Sequence, residues 1–259
     1  MNMSLVTVVP IKAYEDNYIW TLVKGGNCVV VDPGDAQPVL NYCAEWDLTI
    51  TDILITHHHW DHTNGLDALI AAFPEAIIYG PYNPKITQIT HRVKEGETVT
   101  LASLATRFKV MAIPGHTLDH LAYFSDIGLF CGDTLFSVGC GRLFEGTAKQ
   151  MHHSLQKLQK LPDETPVYCA HEYTLANIKF AEQVEPDNQD LLNYKEWAGS
   201  QRVDLKPTLP SSIGQQKAIN PFLRTDSQQA RHNAQQHSGK RLTSPEQVFA
   251  ALRDWKDHF

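Results

Sequence analysis

Residues 56–62 read THHHWDH, so four histidines and one aspartate lie within seven residues. The preceding run, ITDILIT, is rich in β-branched residues and is typical of a buried strand. His57 and His59 are two residues apart, so at the end of a strand their side chains project to the same side. A core gains no packing from such a cluster, and burying these side chains costs free energy unless they bind a partner. The segment therefore predicts a metal site.

The order of patterns along the chain favours an α/β fold. The 259 residues are 42% hydrophobic and 20% charged, which is typical of a globular protein. Up to about residue 172, apolar runs that resemble buried strands alternate with amphipathic segments: residues 28–35, 50–57, 108–116, 121–126, 128–133 and 166–171. Helices are predicted after residue 66, over 151–162, 175–184 and 190–198, with a proline-containing break at 206–216. We expect a domain over residues 1–172 and a smaller helical domain over 173–259.

Charge and composition exclude several classes of function. With 22 Lys and Arg against 29 Asp and Glu, the net charge of −7 repels a phosphate backbone, so we expect no nucleic-acid partner. No run approaches the ~18 apolar residues of a membrane span, and no basic leader precedes the first apolar run. We therefore expect a protein of the cytoplasm with no membrane partner, and we also expect a monomer. The cysteines are odd in number, form no C-x-x-C pair and predict buried thiols: Cys28, Cys43, Cys131, Cys140 and Cys169.

Further ligands follow other predicted strands. His116 follows KVMAIPG, Asp133 follows LFCG and His171 follows VYCA. The carboxyl ends of strands are where α/β proteins build their sites. Asp61 and His62, past the turn after His59, can reach the same place.

Five imidazoles and two carboxylates suit zinc, with iron and manganese as alternatives. Seven ligands exceed one tetrahedral shell and suit two divalent ions that share an aspartate. For His120 two interpretations stay open, a hydrogen-bond partner of a ligand or an ordinary buried histidine. The remaining histidines are interpreted as ordinary hydrogen-bonded residues: His58, His91, His152, His153, His232, His237 and His258.

The motifs THHHWDH, PGHT, GDTLF and CAHEYT, in this order, resemble the metallo-β-lactamase superfamily, whose fold is an αββα sandwich. DNYIW, VDPGD, GCGRLFEGT, NPFLR and the closing RDWKDHF resemble more closely its glyoxalase II (hydroxyacylglutathione hydrolase) family, over nearly the whole chain. The resemblance implies one ion held by His57, His59 and His116. It implies a second ion held by Asp61, His62 and His171, with Asp133 as the bridge. Asp32, in VDPGD, is either a support for this site or an ordinary aspartate of a Pro-Gly turn.

The resemblance also implies the reaction. It is hydrolysis of S-D-lactoylglutathione to glutathione and D-lactate, the second step of methylglyoxal detoxification. Two divalent ions lower the pKa of a bridging water from 15.7 toward ~7 and accept charge from the carbonyl oxygen. Asp61 and Asp133 would act with the resulting metal-bound hydroxide. The residues implied to bind the glutathione thioester are Arg142, Phe144, Tyr173, Arg253 and Lys256.

Two other interpretations are open. One is a mononuclear iron dioxygenase of the same fold acting on glutathione persulfide, which His171 and the helical tail disfavour. The other is a metal-binding module without catalysis, which would need no basic substrate cleft.

Overall fold

The computed structural model describes residues 5–259, and the chain divides into two compact units. Unit 1 comprises the chain up to Ala112 together with Asp119–Gly132, and unit 2 comprises Ile113–Leu118 together with Asp133–Phe259. This partition differs from the predicted division after residue 172, which stays a prediction. The expectation that no basic leader precedes the first apolar run depends in part on residues 1–4, which lie outside the described residues.

Unit 1 contains a six-stranded sheet in the order β1-β2-β3-β4-β5-β6. The pairs β1/β2 and β2/β3 are antiparallel, and the pairs from β3 to β6 are parallel. Val31 at the end of β3 pairs with Leu54 at the end of β4, so the residues that follow these two strands emerge at the same edge. The strands are Thr7–Ala13 (β1), Asn17–Lys24 (β2), Asn27–Val31 (β3), Thr49–Leu54 (β4), Ile77–Gly80 (β5) and His91–Arg92 (β6).

Four further strands of unit 1 pair antiparallel in chain order: Thr98–Leu101 (β7), Thr106–Ala112 (β8), Leu121–Ser125 (β9) and Gly128–Gly132 (β10). Three helices complete the unit: Ala36–Trp46 (α1), Trp60–Thr63 (α2) and Leu66–Ala72 (α3). Helix α3 buries Leu66 and Leu69 completely in the core and packs the partly buried Ile70 and Phe73 against it. The helical stripe predicted for this segment is therefore confirmed.

Unit 2 is mainly helical. Its helices are Ala148–Leu158 (α4), Thr174–Val184 (α5), Gln189–Val203 (α6), Ile213–Ile219 (α7), Gln228–Ser238 (α8) and Pro245–Asp257 (α9). Its strands form a short hairpin, Leu135–Phe136 (β11) with Gly139–Cys140 (β12), and an antiparallel pair, Pro166–Cys169 (β13) with Ser211–Ser212 (β14). None of the helices within residues 5–259 combines the length and the apolar character that crossing a bilayer requires.

The six predicted strands are confirmed, and so is the helical character of the C-terminal region. Two boundaries are wrong. The helix predicted over 151–162 begins earlier, at Ala148, where Thr147 caps it, and it ends at Leu158. The break predicted over 206–216 already contains the start of α7, because the hydroxyl of Ser212 accepts a hydrogen bond from the Gln215 amide and caps a new helix.

Candidate metal centre

A first cluster of predicted ligands lies in unit 1, directly after β4. His57 is completely buried, and its ring centroid lies 4.2 Å from that of His62 and 4.7 Å from that of His59. His59 is the residue before α2, while Asp61 and His62 lie inside this helix. The segment thus brings its four predicted ligands together, as their spacing predicts.

Asp32 orients two of these ligands. Its Oδ1 accepts a hydrogen bond from the Thr56 amide at 2.7 Å, and its Oδ2 accepts from the Thr56 hydroxyl at 2.7 Å. The same Oδ2 lies 3.0 Å from His62 Nδ1. The parallel register of β3 and β4 causes this meeting, since Asp32 and Thr56 both follow the paired strand ends. Of its two interpretations, the structure therefore favours Asp32 as a support for the site.

These contacts determine which ring nitrogen each histidine presents. A carboxylate can only accept, so His62 Nδ1 carries the proton. The Thr56 hydroxyl donates to Asp32 and must accept from His57 Nδ1, which lies 3.0 Å away. Both imidazoles therefore present Nε2 with its lone pair, the form that binds a metal ion. Asp32, His57 and His62 place one ligand atom each within 4.8 Å of one another.

Asp61 is held by contacts on two sides. Asn17 Nδ2 lies 3.3 Å from Asp61 Oδ2, which in turn lies 3.5 Å from His62 Nε2. Gly34 is required behind it, because a Cβ at this position would come within 1.8 Å of the Asp61 carbonyl oxygen.

The two other histidines of this region have distinct surroundings. His120 is completely buried, stacks on His57 at 4.5 Å and lies with Nδ1 3.0 Å from the Leu121 carbonyl oxygen. Its stacking places it directly behind a ligand. His58 lies with Nδ1 3.0 Å from Asp119 Oδ1, which matches the hydrogen-bonded role expected for it.

A second cluster of predicted ligands lies in unit 2, around Asp133. Its Oδ2 lies 3.4 Å from His116 Nε2, and its Oδ1 lies 3.3 Å from His171 Nε2. All three side chains are buried. One carboxylate thus faces a different imidazole with each of its oxygens, which is the arrangement expected of an aspartate shared by two ions.

The segment 141–145 surrounds His116. The Arg142 carbonyl oxygen lies 2.9 Å from His116 Nδ1, so this nitrogen donates and Nε2 again carries the lone pair. The Phe144 amide donates to the His116 carbonyl oxygen at 3.1 Å. Gly141 permits this close approach, since a Cβ there would lie 2.0 Å from the Asp133 carbonyl oxygen and 3.0 Å from His116 Nδ1.

Three of the predicted substrate residues lie beside these ligands. Tyr173 stacks in parallel on His171 with centroids 4.8 Å apart. Phe144 is exposed, and its ring makes a T-shaped contact with that of His116, with centroids 5.2 Å apart. Arg142 is also exposed, with Nε 3.6 Å from Asp257 Oδ1.

Arg253 and Lys256 both lie on α9, but they differ in exposure. Arg253 is only 3% exposed, whereas Lys256 is half-buried. Lys256 Nζ donates to Asn177 Oδ1 and lies over the rings of Phe180 and Phe222. Burial, together with the charge of Arg253, lowers the pKa of Lys256 to about 7.

Cys140 and Cys169, the two cysteines of unit 2, offer no activated nucleophile. All five are free and buried, as the sequence predicts. Burial raises the pKa of the Cys140 thiol despite the nearby Arg253, and burial raises the pKa of Cys169 to about 12. A thiolate is the reactive form, so the thiols of Cys140 and Cys169 are unreactive at neutral pH.

The donor set fits divalent metal ions. His57, His62 and His116 are fixed in the tautomer that presents Nε2, and each cluster contains a carboxylate. Imidazole with carboxylate suits zinc, iron or manganese. Sequence reasoning missed Thr56 and Asn17, because their roles depend on contacts with residues 24 and 44 positions away that no local pattern marks.

Comparisons with known proteins cover the whole described fold. A family model for the metallo-beta-lactamase superfamily matches residues 16–171, and one for the hydroxyacylglutathione hydrolase C-terminus matches residues 172–259. The chain is 49% identical over 255 residues to a hydroxyacylglutathione hydrolase of Nitrosomonas eutropha, covering 98% of this chain and 100% of that one. It is 50% identical over 257 residues to a hydroxyacylglutathione hydrolase of Aliivibrio fischeri, with the same coverage. The crystal structure of ETHE1 from Myxococcus xanthus matches with a TM-score of 0.65 and 26% identity, covering 98% of both chains.

Proposed function

Because this chain belongs to the hydroxyacylglutathione hydrolase family of the metallo-β-lactamase superfamily, we propose that it hydrolyses S-D-lactoylglutathione to glutathione and D-lactate. It is a thioester hydrolase with the metallo-β-lactamase fold and a helical C-terminal region, as the sequence predicts. One observation of geometry carries the mechanism: the two oxygens of Asp133 face two different histidines.

The proposed centre holds two divalent ions. Zinc is the metal that we propose, with iron and manganese as alternatives. His57, His59 and His116 would hold one ion, and Asp61, His62 and His171 the other, with Asp133 shared. The tautomers support this assignment, since His57, His62 and His116 each donate through Nδ1 to an oxygen and present Nε2. When bound, such ions supply Lewis acidity toward a carbonyl oxygen and a nucleophilic water at neutral pH.

The side chains of this protein position the reaction. Asp32 and the Arg142 carbonyl oxygen hold His62 and His116 in the protonation state that binding requires. Asn17 lies within reach of Asp61 Oδ2 and limits its rotation. In the hydrolysis, water adds to the thioester carbon, the C–S bond breaks and the sulfur leaves as a thiolate. A thiol of pKa roughly 8.5 leaves without a strong acid, so the buried cysteines need no role in the step.

The residues proposed to bind the glutathione part of the substrate are of two kinds, cationic and aromatic. Arg142 is exposed and cationic, and Lys256 carries a charge that depends on pH near neutrality. Tyr173 and Phe144, next to His171 and His116, offer rings on either side of Asp133. Glutathione carries two carboxylates, and the chain as a whole is acidic. The cations Arg142 and Lys256 would therefore favour a glutathione thioester over a thioester without carboxylates.

We also propose that the protein is a monomer of the cytoplasm. The five buried, free cysteines support a reducing compartment, where thiols persist.

The test is hydrolysis by zinc-loaded protein of S-D-lactoylglutathione, followed as loss of thioester absorbance and gain of D-lactate. A matched lactoyl thioester of N-acetylcysteamine, which lacks both carboxylates, should react far more slowly. Equal rates with both substrates would remove the glutathione assignment. No hydrolysis, with oxygen uptake on glutathione persulfide and one iron per chain, would instead identify the dioxygenase.

A further inference from the structure

Arg253 differs from the other residues that the family resemblance assigns to substrate, because its guanidinium is enclosed. The residue is 3% exposed, and its guanidinium carbon lies 5.2 Å from the centroid of the Phe222 ring. Nη1 donates to the Cys140 carbonyl oxygen at 2.9 Å, and Nη2 donates to Asp257 Oδ1 at 2.8 Å. The protein itself thus occupies both terminal nitrogens of the guanidinium, while the buried Nε makes no hydrogen bond within the described residues.

The hydrogen bond from Arg253 to the Cys140 carbonyl oxygen binds the segment 140–142, which contacts the proposed ligand His116. Cys140 ends β12, and Gly141 and Arg142 follow directly. Gly141 donates its amide to the Thr134 carbonyl oxygen at 3.3 Å and backs closely onto Asp133. Arg142 then presents its carbonyl oxygen to His116 Nδ1 at 2.9 Å. The position of a single peptide segment therefore determines how His116 is oriented.

We propose that Arg253 is a positioning residue for the ligand His116, acting through the segment 140–142. Its charged hydrogen bond to the Cys140 carbonyl oxygen holds the segment so that the Arg142 carbonyl meets His116 Nδ1. Asp257 holds the guanidinium from the other side and also lies 3.6 Å from Arg142 Nε, which attaches α9 to the segment at a second point. The inference rests on the proposed function for the identity of the ligands, but it concerns metal retention rather than turnover.

The experiment uses the zinc-loaded full chain of the wild type and Arg253→Met, with zinc retention measured against increasing chelator. Groups that orient a metal ligand typically change metal affinity by about 10–100-fold. Because Arg253 acts one step removed, we expect about a tenfold loss of zinc affinity. With S-D-lactoylglutathione at saturating zinc, kcat should fall while KM changes less than about twofold.

A variant of similar burial on the same helix separates positioning from mere stability. Leu252 is completely buried and has no polar contact with the segment. Leu252→Val should lower the unfolding midpoint and leave zinc retention at the wild-type value. Loss of zinc in Leu252→Val in proportion to its loss of stability would overturn the proposal. Wild-type zinc retention in Arg253→Met with a raised KM would also overturn it and make Arg253 a substrate contact.

Arg253→Lys keeps the test valid if Arg253→Met does not fold. A lysine retains the charge and can reach one acceptor, so zinc affinity should lie between those of the wild type and Arg253→Met. Amide exchange at residues 141 and 142 should be faster than in the wild type. Unchanged exchange in this segment would refute the coupling. Because chelator titration needs no substrate, an inactive wild type would disprove the proposed function and leave this result readable.

Discussion

Both of the proposed metal ions depend on a single side chain, that of Asp133. Each of its oxygens faces a different imidazole at 3.3 to 3.4 Å. Asp133→Asn keeps the shape but replaces one oxygen by a donor that cannot bind a cation. We expect loss of at least one ion per chain, measured by elemental analysis, and at least about 100-fold lower kcat. The exposed Asp126→Asn is the control and should retain both. Two tightly held ions in Asp133→Asn would show that the carboxylate is not shared.

The proposed role of Lys256 in substrate binding makes that binding depend on pH. Burial lowers its pKa from 10.5 to about 7, with a further contribution from Arg253, so its charge is lost as the pH rises through neutrality. A neutral amine does not attract a carboxylate, and kcat/KM should fall between about pH 7 and pH 9. Lys256→Arg stays charged and should lack this component of the pH profile. An identical profile in the two proteins would exclude Lys256 as its source.

Lys256 also makes the free energy of unfolding depend on pH, and this dependence has the opposite sign to that of kcat/KM. Between about pH 7 and pH 10.5 the unfolded chain keeps a proton on Lys256 that the folded chain has lost. Stability therefore rises with pH across this interval as far as this group contributes. Lys256→Arg removes that rise, because arginine stays protonated in both states.

At the scale of elements, the hairpin β11–β12 is held by side chains of unit 2 rather than by its own two-residue strands. Asn220 Nδ2 donates to the carbonyl oxygens of Phe136 and Gly139, and its Oδ1 accepts from the Phe222 amide. Asn177 and Gln216 bind the backbone of the two residues between the strands, at Ser137 and Val138.

Asn220→Ala should destabilise the protein by roughly 2–4 kcal/mol, because it leaves buried backbone groups without hydrogen bonds. The measurement is the shift of the urea midpoint. The exposed Asn193→Ala should change stability by no more than about 0.5 kcal/mol. Similar stability of both variants would mean that water replaces Asn220 at the hairpin.

Most of the predicted ligands can be found by sequence reasoning, because they follow strands whose apolar runs are visible locally. His57 after β4 and His171 after β13 are examples. The groups that orient the ligands were not accessible in the same way. Arg142 acts on His116 through a backbone carbonyl, which no residue type encodes. Arg253 has the pattern of a solvated helix end, and its burial depends on contacts with Phe222 and with the hairpin, 113 residues earlier in the chain.

At the scale of the whole molecule, the rate at which a reagent labels the buried cysteines measures how often each unit opens. Cys28, Cys43 and Cys131 lie in unit 1, while Cys140 and Cys169 lie in unit 2, and all five are buried. A thiol reagent can reach them only when the surrounding structure opens, and open states of native proteins are typically populated at about 10⁻³ or less. We expect labelling at least about 1,000-fold slower in native buffer than in denaturant.

Mass spectrometry of individual peptides resolves this labelling by position. If each unit opens cooperatively, the three cysteines of unit 1 should share one rate and the two of unit 2 another, because one opening event exposes all members of a set. Cys28 and Cys43 provide an internal check, since their Sγ atoms lie 3.9 Å apart and local opening at one exposes the other. A single common rate for all five would mean that the protein opens as one cooperative body. Labelling of any one cysteine within the dead time would instead contradict the burial from which the inertness of the thiols follows.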